Sequence, residues 1–199
     1  MMVNKSGVGF GAFYPKFAPF AGEEPTDALP QYDGIVTLGE FISGNLSLEL
    51  ASGKLYADDK LFISVEEFTS GTIALEITDL PVDVAKVVFG LKDDGSDTDL
   101  LIYRGNDSRP YGGFSFVQTI LDKGTGKTFY RAYYYPKVQA VLSNETVQTK
   151  GGSLSFGTRS FSLTVFACNF EDQWRQVKQF EEKEDAAEWA EKQLGVTTR

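Results

Sequence analysis

The chain has 199 residues and a mass of 22.0 kDa, with 28 acids against 19 bases, a net charge of −9 and a pI near 4.6. That balance argues against a protein that grips DNA through its phosphates, because such affinity comes from Lys and Arg displacing counterions. The lack of histidine removes Ser-His-Asp and Cys-His catalysis and the commonest zinc ligand, and a lone Cys168 excludes an internal disulfide or a cysteine metal cluster.

No apolar run of about 18 residues is present, so no helix is expected to span a membrane. The N-terminus lacks the basic-then-apolar pattern of a signal peptide, so synthesis in a reducing cytoplasm is expected. Aromatic content is 14%, led by 16 Phe and 9 Tyr, alongside 20 Gly. This composition favours a β-rich fold of one domain.

In chain order, Val8, Phe10, Ala12 and Tyr14 alternate with small residues as a first strand would. Pro15, Pro19, Pro25 and Pro30 then interrupt regular structure. Residues 1–31 therefore read as a strand and an extended arm, and 32–199 as the β domain. Exposed Phe13, Phe17 and Phe20 on such an arm are costly in water, so they are expected to pack on another surface, that of a neighbouring subunit. Leu46, Leu48 and Leu50 alternate with polar residues in a half-buried strand, and Ile73, Leu75 and Ile77 do the same in a second. Residues 52–70, which carry Tyr56, Phe62 and Phe68, read as a long loop or extension.

The segment D-L-P-V-D-V-A-K-V-V-F-G signals a helix. Asp79 can cap it, Pro81 suits the first turn and Gly90 can end it. Leu80, Val84, Val87 and Val88 share one face, and the valines need sheet packing to hold a helix. An acid-rich turn follows at 93–99, then a strand reading for L-L-I-Y-R. P-Y-G-G-F-S-F-V-Q-T-I-L and T-F-Y-R-A-Y-Y-Y-P-K-V form a hairpin, and Phe161, Leu163, Val165 and Ala167 mark another strand. The end carries a short strand, W-R-Q-V-K-Q-F, and a helix whose stripe is Ala186, Trp189, Ala190 and Leu194.

The chemical motifs are weak. G-T-G-K-T at 124–128 ends like a phosphate-binding loop but has Leu121 where that pattern needs glycine, and it lies between two strands, so a hairpin turn is expected. G-V-G-F-G precedes no helix, and the 93–99 turn lacks the spacing of a calcium loop. The carboxylate pairs Asp58–Asp59 and Glu66–Glu67 face no shared cleft that the sequence can specify. No catalytic, metal or cofactor residue is assigned, and the chain is not expected to be an enzyme. Four N-x-S/T matches, at Asn4, Asn45, Asn106 and Asn144, are chance occurrences without a secretion signal. One pattern stands out: the polar faces of the cleanest strands carry Ser47, Glu49, Thr72, Glu76, Thr78, Ser162 and Thr164, with no Lys or Arg. Such a face suits a surface that must not hold polyanions, and also an ordinary solvent face.

The order of segments resembles a family. S-G-K-L-Y-A-D-D-K-L, then F-T-S-G-T-I-A-L-E-I-T-D-L-P-V-D-V-A-K-V-V-F-G, then Y-R-G-N-D-S-R-P-Y-G-G-F-S-F, K-T-F-Y-R-A-Y-Y-Y-P-K-V-Q, T-V-Q-T-K-G-G-S-L-S-F-G-T and a closing W…E-D-A-A-E-W-A are similar to the major tail protein of long, non-contractile-tailed bacteriophages, the type found in phages and prophages of Gram-positive bacteria. The resemblance covers most of 32–195. It implies two antiparallel sheets packed as a sandwich or partial barrel, with a helix at the flank. It also implies a virion protein, made in the bacterial cytoplasm, whose hexameric rings stack into a tail tube. Its partners would be itself, the tape-measure protein, and the tail terminator and distal tail proteins, with DNA passing through and no membrane.

Six copies at −9 each give −54, a field that lets DNA slide rather than stick. On this resemblance, strands near 45–51 and 72–78 join between subunits and line the channel through Ser47, Glu49, Thr72, Glu76 and Thr78. The arm with Phe13, Phe17 and Phe20, and the extension with Tyr56, Phe62 and Phe68, reach neighbouring subunits or rings. Two rivals stand beside it: the tube of a contractile tail or secretion device, and a carbohydrate-binding β-sandwich using the aromatic run 129–135. In that run Phe129, Arg131, Tyr133, Tyr135 and Lys137 share one face, and Tyr130, Ala132, Tyr134, Pro136 and Val138 the other. The second face suits a core and the first, with Tyr133 and Tyr135, a neighbouring subunit. Pro136 places the strand at an edge or ends it.

Overall fold

The computed structural model describes residues 7–92, 100–143 and 157–195. The turn expected at 93–99 and the segment 144–156 lie outside them. The elements in chain order are β1 (Gly7–Pro19), β2 (Val36–Thr37), β3 (Phe41–Ala57), β4 (Lys60–Ile77), α1 (Val82–Phe89), β5 (Tyr111–Asp122), β6 (Thr128–Val141), β7 (Arg159–Phe166), β8 (Gln176–Phe180) and α2 (Lys183–Gln193).

All strand pairings are antiparallel, in the order β2-β1-β5-β6-β7-β4-β3, with β8 also beside β6. β6 is where the sheet forks. Its first half, Tyr130 to Tyr134, pairs with β8, and its second half, Lys137 to Val141, with β7. The sheet then curls. Phe41 of β3 stacks on Phe116 of β5 with centroids 5.5 Å apart, and the Leu38 amide donates to the Pro15 carbonyl at 2.9 Å. The mainly β, antiparallel, layered architecture expected from the sequence is present, built as one curled and forked sheet.

The curl encloses the main core. Ile73, Leu75 and Ile77 of β4 meet Phe161, Leu163 and Val165 of β7, Phe17 of β1, Phe114 of β5 and Val138 of β6. The alternation read in β4 and β7 is the inward half of each strand. α1 closes the core with Val84, Ala85, Val88 and Phe89. Full burial of a Val or Phe side chain is worth about 1.5–3 kcal/mol, which offsets the poor helix propensity of the valines. Gly90 ends α1 at φ 65, and a Cβ there would lie 2.5 Å from the Ser108 carbonyl oxygen, so both conformation and space demand glycine. Pro81 rather than Asp79 occupies the N-cap, without a side-chain cap bond.

α2 covers the opposite face of β5 and β6. Ala186 and Ala190 sit on Val117 and Ala132, and Leu194 joins Tyr134 and Ala18 in an adjoining cluster. The expected stripe of Ala186, Trp189, Ala190 and Leu194 faces the sheet.

Four readings are corrected. The first strand expected from Val8 is present but runs on past Tyr14 to Pro19, where an extended arm was expected; it pairs with β5 and, over Lys16 and Phe17, with β2 as well. Register shifts at Gly9/Ala12 and Phe13/Lys16, with Gly11 at φ 71 and Tyr14 at φ 57, absorb Pro15 as bulges. Residues 52–70, read as a long loop or extension, are strand on both sides of a turn at Asp58–Asp59. L-L-I-Y-R at 100–104 is irregular and ends in a turn, in which the Arg104 amide donates to Asp107 at 2.6 Å. β6 is central and runs past Pro136 to Val141. Its pairing with β5 shifts register between Gly112 and Phe114, opposite Pro136 and Lys137, and Pro136 lies between the β8-paired and β7-paired halves. A missing N–H costs little at a bulge where the neighbouring strand changes.

Candidate functional site

The longest strands make the most exposed element. β3 and β4 have 17 and 18 residues and pair from Phe41↔Ile77 to Ala57↔Lys60. β7 supports β4 only from Gly71 to Ile77, and among the described residues β3 has no strand on its second edge. Beyond Gly71 the two strands therefore leave the sheet as a ribbon. At about 3.3 Å per residue it runs roughly 40 Å to its turn. Asp58 and Asp59 form that turn at φ 50 and 59, the paired left-handed conformation of a two-residue hairpin, which Asp tolerates better than most residues.

Apolar residues lie on both sides of the ribbon, among the exposed charges of Lys54, Lys60, Glu66 and Glu67. Cross-strand partners share a face, so Leu55 meets Ile63 on one side while Leu50 meets Phe68 and Tyr56 meets Leu61 on the other. Leu48, Leu50, Leu55, Tyr56, Leu61, Phe62, Ile63 and Val65 are all exposed, Phe62 the most at 69%. At the base Phe68 stacks on Trp174 with centroids 4.5 Å apart and planes at 9°, and the Arg175 guanidinium lies over Trp174. A free two-stranded hairpin of this kind is marginal in water.

At the ribbon's root is a hydroxyl and acid face. Ser47 pairs across to Thr72, and Thr72 in turn to Thr164. Ser43 and Ser160 flank Glu76 on its two sides. The Glu76 carboxylate accepts from Ser43 Oγ at 3.2 Å and Thr158 Oγ1 at 2.7 Å, and Glu49 accepts from Ser70 Oγ at 2.8 Å. Ser47, Glu49, Thr72 and Glu76 thus belong to one contiguous surface of β3, β4 and β7. Thr78 follows the end of β4 and is apart from it, accepting from the Glu40 amide. β4 has a strand on each edge over 71–77, so the segment expected to join a neighbour at 72–78 is interior, whereas over the same stretch β3 has an open edge among the described residues.

The aromatic residues expected at subunit contacts divide. Tyr56 and Phe62 are on the exposed ribbon. Phe17 and Tyr135 are core, at 0% and 2% exposure, so their side chains are not on a contact surface. Phe13 packs against α2's cluster, Phe20 against Tyr32 and Tyr111, and Tyr133 stacks on Phe116 at 4.7 Å and donates to Gln118. Tyr134 is fully buried on the opposite face, where the Tyr32 hydroxyl approaches its own at 2.5 Å and donates to the Pro136 carbonyl. The sugar platform raised by the run 129–135 has no open aromatic face to stand on.

Other features are structural. The G-T-G-K-T loop is the expected hairpin turn, and the Asp122 carboxylate takes the Gly124 amide and Thr125 hydroxyl. Cys168 is buried and burial raises its thiol pKa. A cleft between β1 and α2 holds Tyr14, Lys16, Lys183, Glu184, Glu188 and Glu191, but Lys16 is paired with Glu191 and Lys183 sits over the Phe13 ring. Among the described residues no group of His, Cys, Asp or Glu is placed to hold a metal ion.

Leu48 and Leu50, read with Leu46 as the buried side of a half-buried strand, are instead exposed, at 44% and 51%, because the ribbon has left the sheet there. The residues missed by sequence reading are Leu55, Leu61, Ile63 and Val65. Their signal was the Asp58–Asp59 pair between two apolar runs, a hairpin pattern. No protein-family model matches the chain, and no curated protein matches its sequence.

Proposed function

We propose that this chain is the structural subunit of a phage tail tube, built from hexameric rings that stack around a tape-measure protein and later conduct DNA. The observation that carries the reading is the β3–β4 ribbon, whose apolar side chains from Leu50 to Val65 are exposed. Such an element stabilises assembly and does little for a solitary molecule. The acid and hydroxyl face at its root supports the same reading, since a wall facing DNA must repel phosphate. The open edge of β3 offers backbone groups through which one copy can extend its sheet to the next.

The purified protein, concentrated and viewed by negative-stain electron microscopy, should form hollow tubes with six-fold end views. A chain that stays monomeric and forms no tubes under any salt condition would defeat the proposal.

A further inference from the structure

β1 leaves part of one edge unused. β5 pairs with it from Gly7 to Pro19 on one side, whereas β2 covers the other side only at Lys16 and Phe17. The Leu38 amide then donates to the Pro15 carbonyl. From Tyr14 back to Gly7 no strand lies on that edge among the described residues. Val8, Phe10 and Tyr14 are exposed along it. Such an edge is a template for one more strand.

A helix stands beside the edge. The cleft between β1 and α2 encloses about 400 Å³, within the roughly 300–1,000 Å³ of ligand clefts. Tyr14 and Lys16 line it from β1, and Lys183, Glu184, Glu188 and Glu191 from α2. The Lys16–Glu191 pair and the Lys183 ammonium over the Phe13 ring fix its walls. Glu184 and Glu188 are exposed. They are four residues apart on the helix, about 6 Å along its axis. Side chains two residues apart on an extended strand share one face at about 6.6 Å. An added strand with basic residues at alternate positions therefore presents its cations at the spacing of the two carboxylates. The sequence E-E-K-E-D-A-A-E-W-A-E-K over 181–192 makes the sign of the flank plain.

We propose that this groove receives an extended segment of a different protein, with Lys or Arg at two alternate positions, as an added strand on β1 with its cations against Glu184 and Glu188. Main-chain bonds to the β1 edge give affinity, and the two ion pairs select the partner. A second copy does not supply such a segment, because no two Lys or Arg residues of this chain stand two positions apart. Pairing two β1 edges with each other would also bring two acidic α2 flanks together. The groove uses neither the ribbon nor β3, so it stands whether or not the copies form tubes.

The test uses fluorescein-labelled T-V-K-T-K-V-T and a peptide of the same composition, T-V-T-K-K-V-T, whose lysines point to opposite faces of a strand. At about 50 mM salt, anisotropy should show saturable binding of the first to the full chain and roughly tenfold weaker binding of the second. Glu184→Lys with Glu188→Lys should weaken the first by roughly tenfold, with a circular dichroism melt to check folding. Alternate amides of an added strand face β1, so N-methylating one alternate set of the peptide should abolish binding and methylating the other should leave it intact. Equal binding of the two lysine arrangements, or equal effects of the two methylated sets, would overturn the proposal without recourse to any variant. An affinity that the folded double variant leaves unchanged would do the same, as would no saturable binding up to about 1 mM peptide. Self-association that the double variant abolishes, with no peptide binding, would give the groove to a second copy and also defeat the proposal.

Discussion

The Tyr32 hydroxyl ties the segment after β1 to the centre of the sheet. It donates to the Pro136 carbonyl at 2.7 Å, which leaves its oxygen to accept from Tyr134. Gly113 makes room for this arrangement: a Cβ there would come within 2.7 Å of the Tyr32 ring. Tyr32→Phe removes the donor and leaves a part-buried carbonyl and phenol without it. The expected loss is about 1–3 kcal/mol, read from urea unfolding. Burial pushes the phenol pKa values of Tyr32 and Tyr134 well up, and that of Tyr135 up to about 12, against the opposing pull of Arg175. A raised phenol pKa favours the folded state while the unfolded one is still neutral. This stability is complete below about pH 10, the ordinary Tyr value, and is lost as pH climbs through the folded pKa values. Melting temperature should be flat in this respect to pH 10 and fall between pH 10 and 12. Absorbance at the phenolate band should show these tyrosines ionising only with unfolding. A smooth titration of all nine tyrosines near pH 10 in folded protein would contradict it.

At the scale of elements, the ribbon is separable from the domain. Ala51 pairs directly with Glu67, so residues 52–66 can be replaced by an Asn-Gly turn without disturbing register. The shortened chain should melt within a few degrees of the full one, because the excised part packs only on itself, yet it should fail to assemble by sedimentation. A large fall in melting temperature would show that the ribbon stabilises the monomer. The same physics decides what could be read from the sequence. β4 over 72–77 and β7 over 161–165 bury one face and expose the other, so their alternation is visible. The ribbon exposes both faces, so over 52–70 no alternation marks it, and it read as a loop or extension. The alternation of Val8 to Tyr14 marked the start of β1, but its continuation hid behind Pro15, because a bulge absorbs a proline that usually breaks a strand. Leu101 suggested strand because it is apolar, but it packs toward α1 instead of pairing. The acids of the candidate face were legible because they sit on the clean strands, whereas Phe17 and Tyr135 could be placed only by knowing how the sheet curls.

For the whole molecule, the proposed tube makes the hydroxyl and acid face a lumen wall. Glu49→Lys with Glu76→Lys changes each copy by four charges, while the lost acceptors cost only exposed hydroxyl bonds. Tubes should still form, and DNA ejection should slow, with the effect fading as salt screens the wall. Ejection kinetics equal to wild type would remove this face from the lumen.

The ribbon also sets a problem of timing. In the proposed assembly, before it meets a partner, it is an open-edged β element with apolar side chains on both faces, the kind of segment that seeds disordered aggregates. Its defences are the aspartates at its turn and the −9 charge of the chain, which push copies apart at long range. Growth should then begin with a lag and speed up when a preformed end is supplied. Raising ionic strength from 50 to 500 mM should shorten the lag severalfold in light scattering, because the Debye length contracts from roughly 14 Å to about 4 Å. The molecule's acidity, on this view, is a clock that delays a contact its strongest feature is always ready to make.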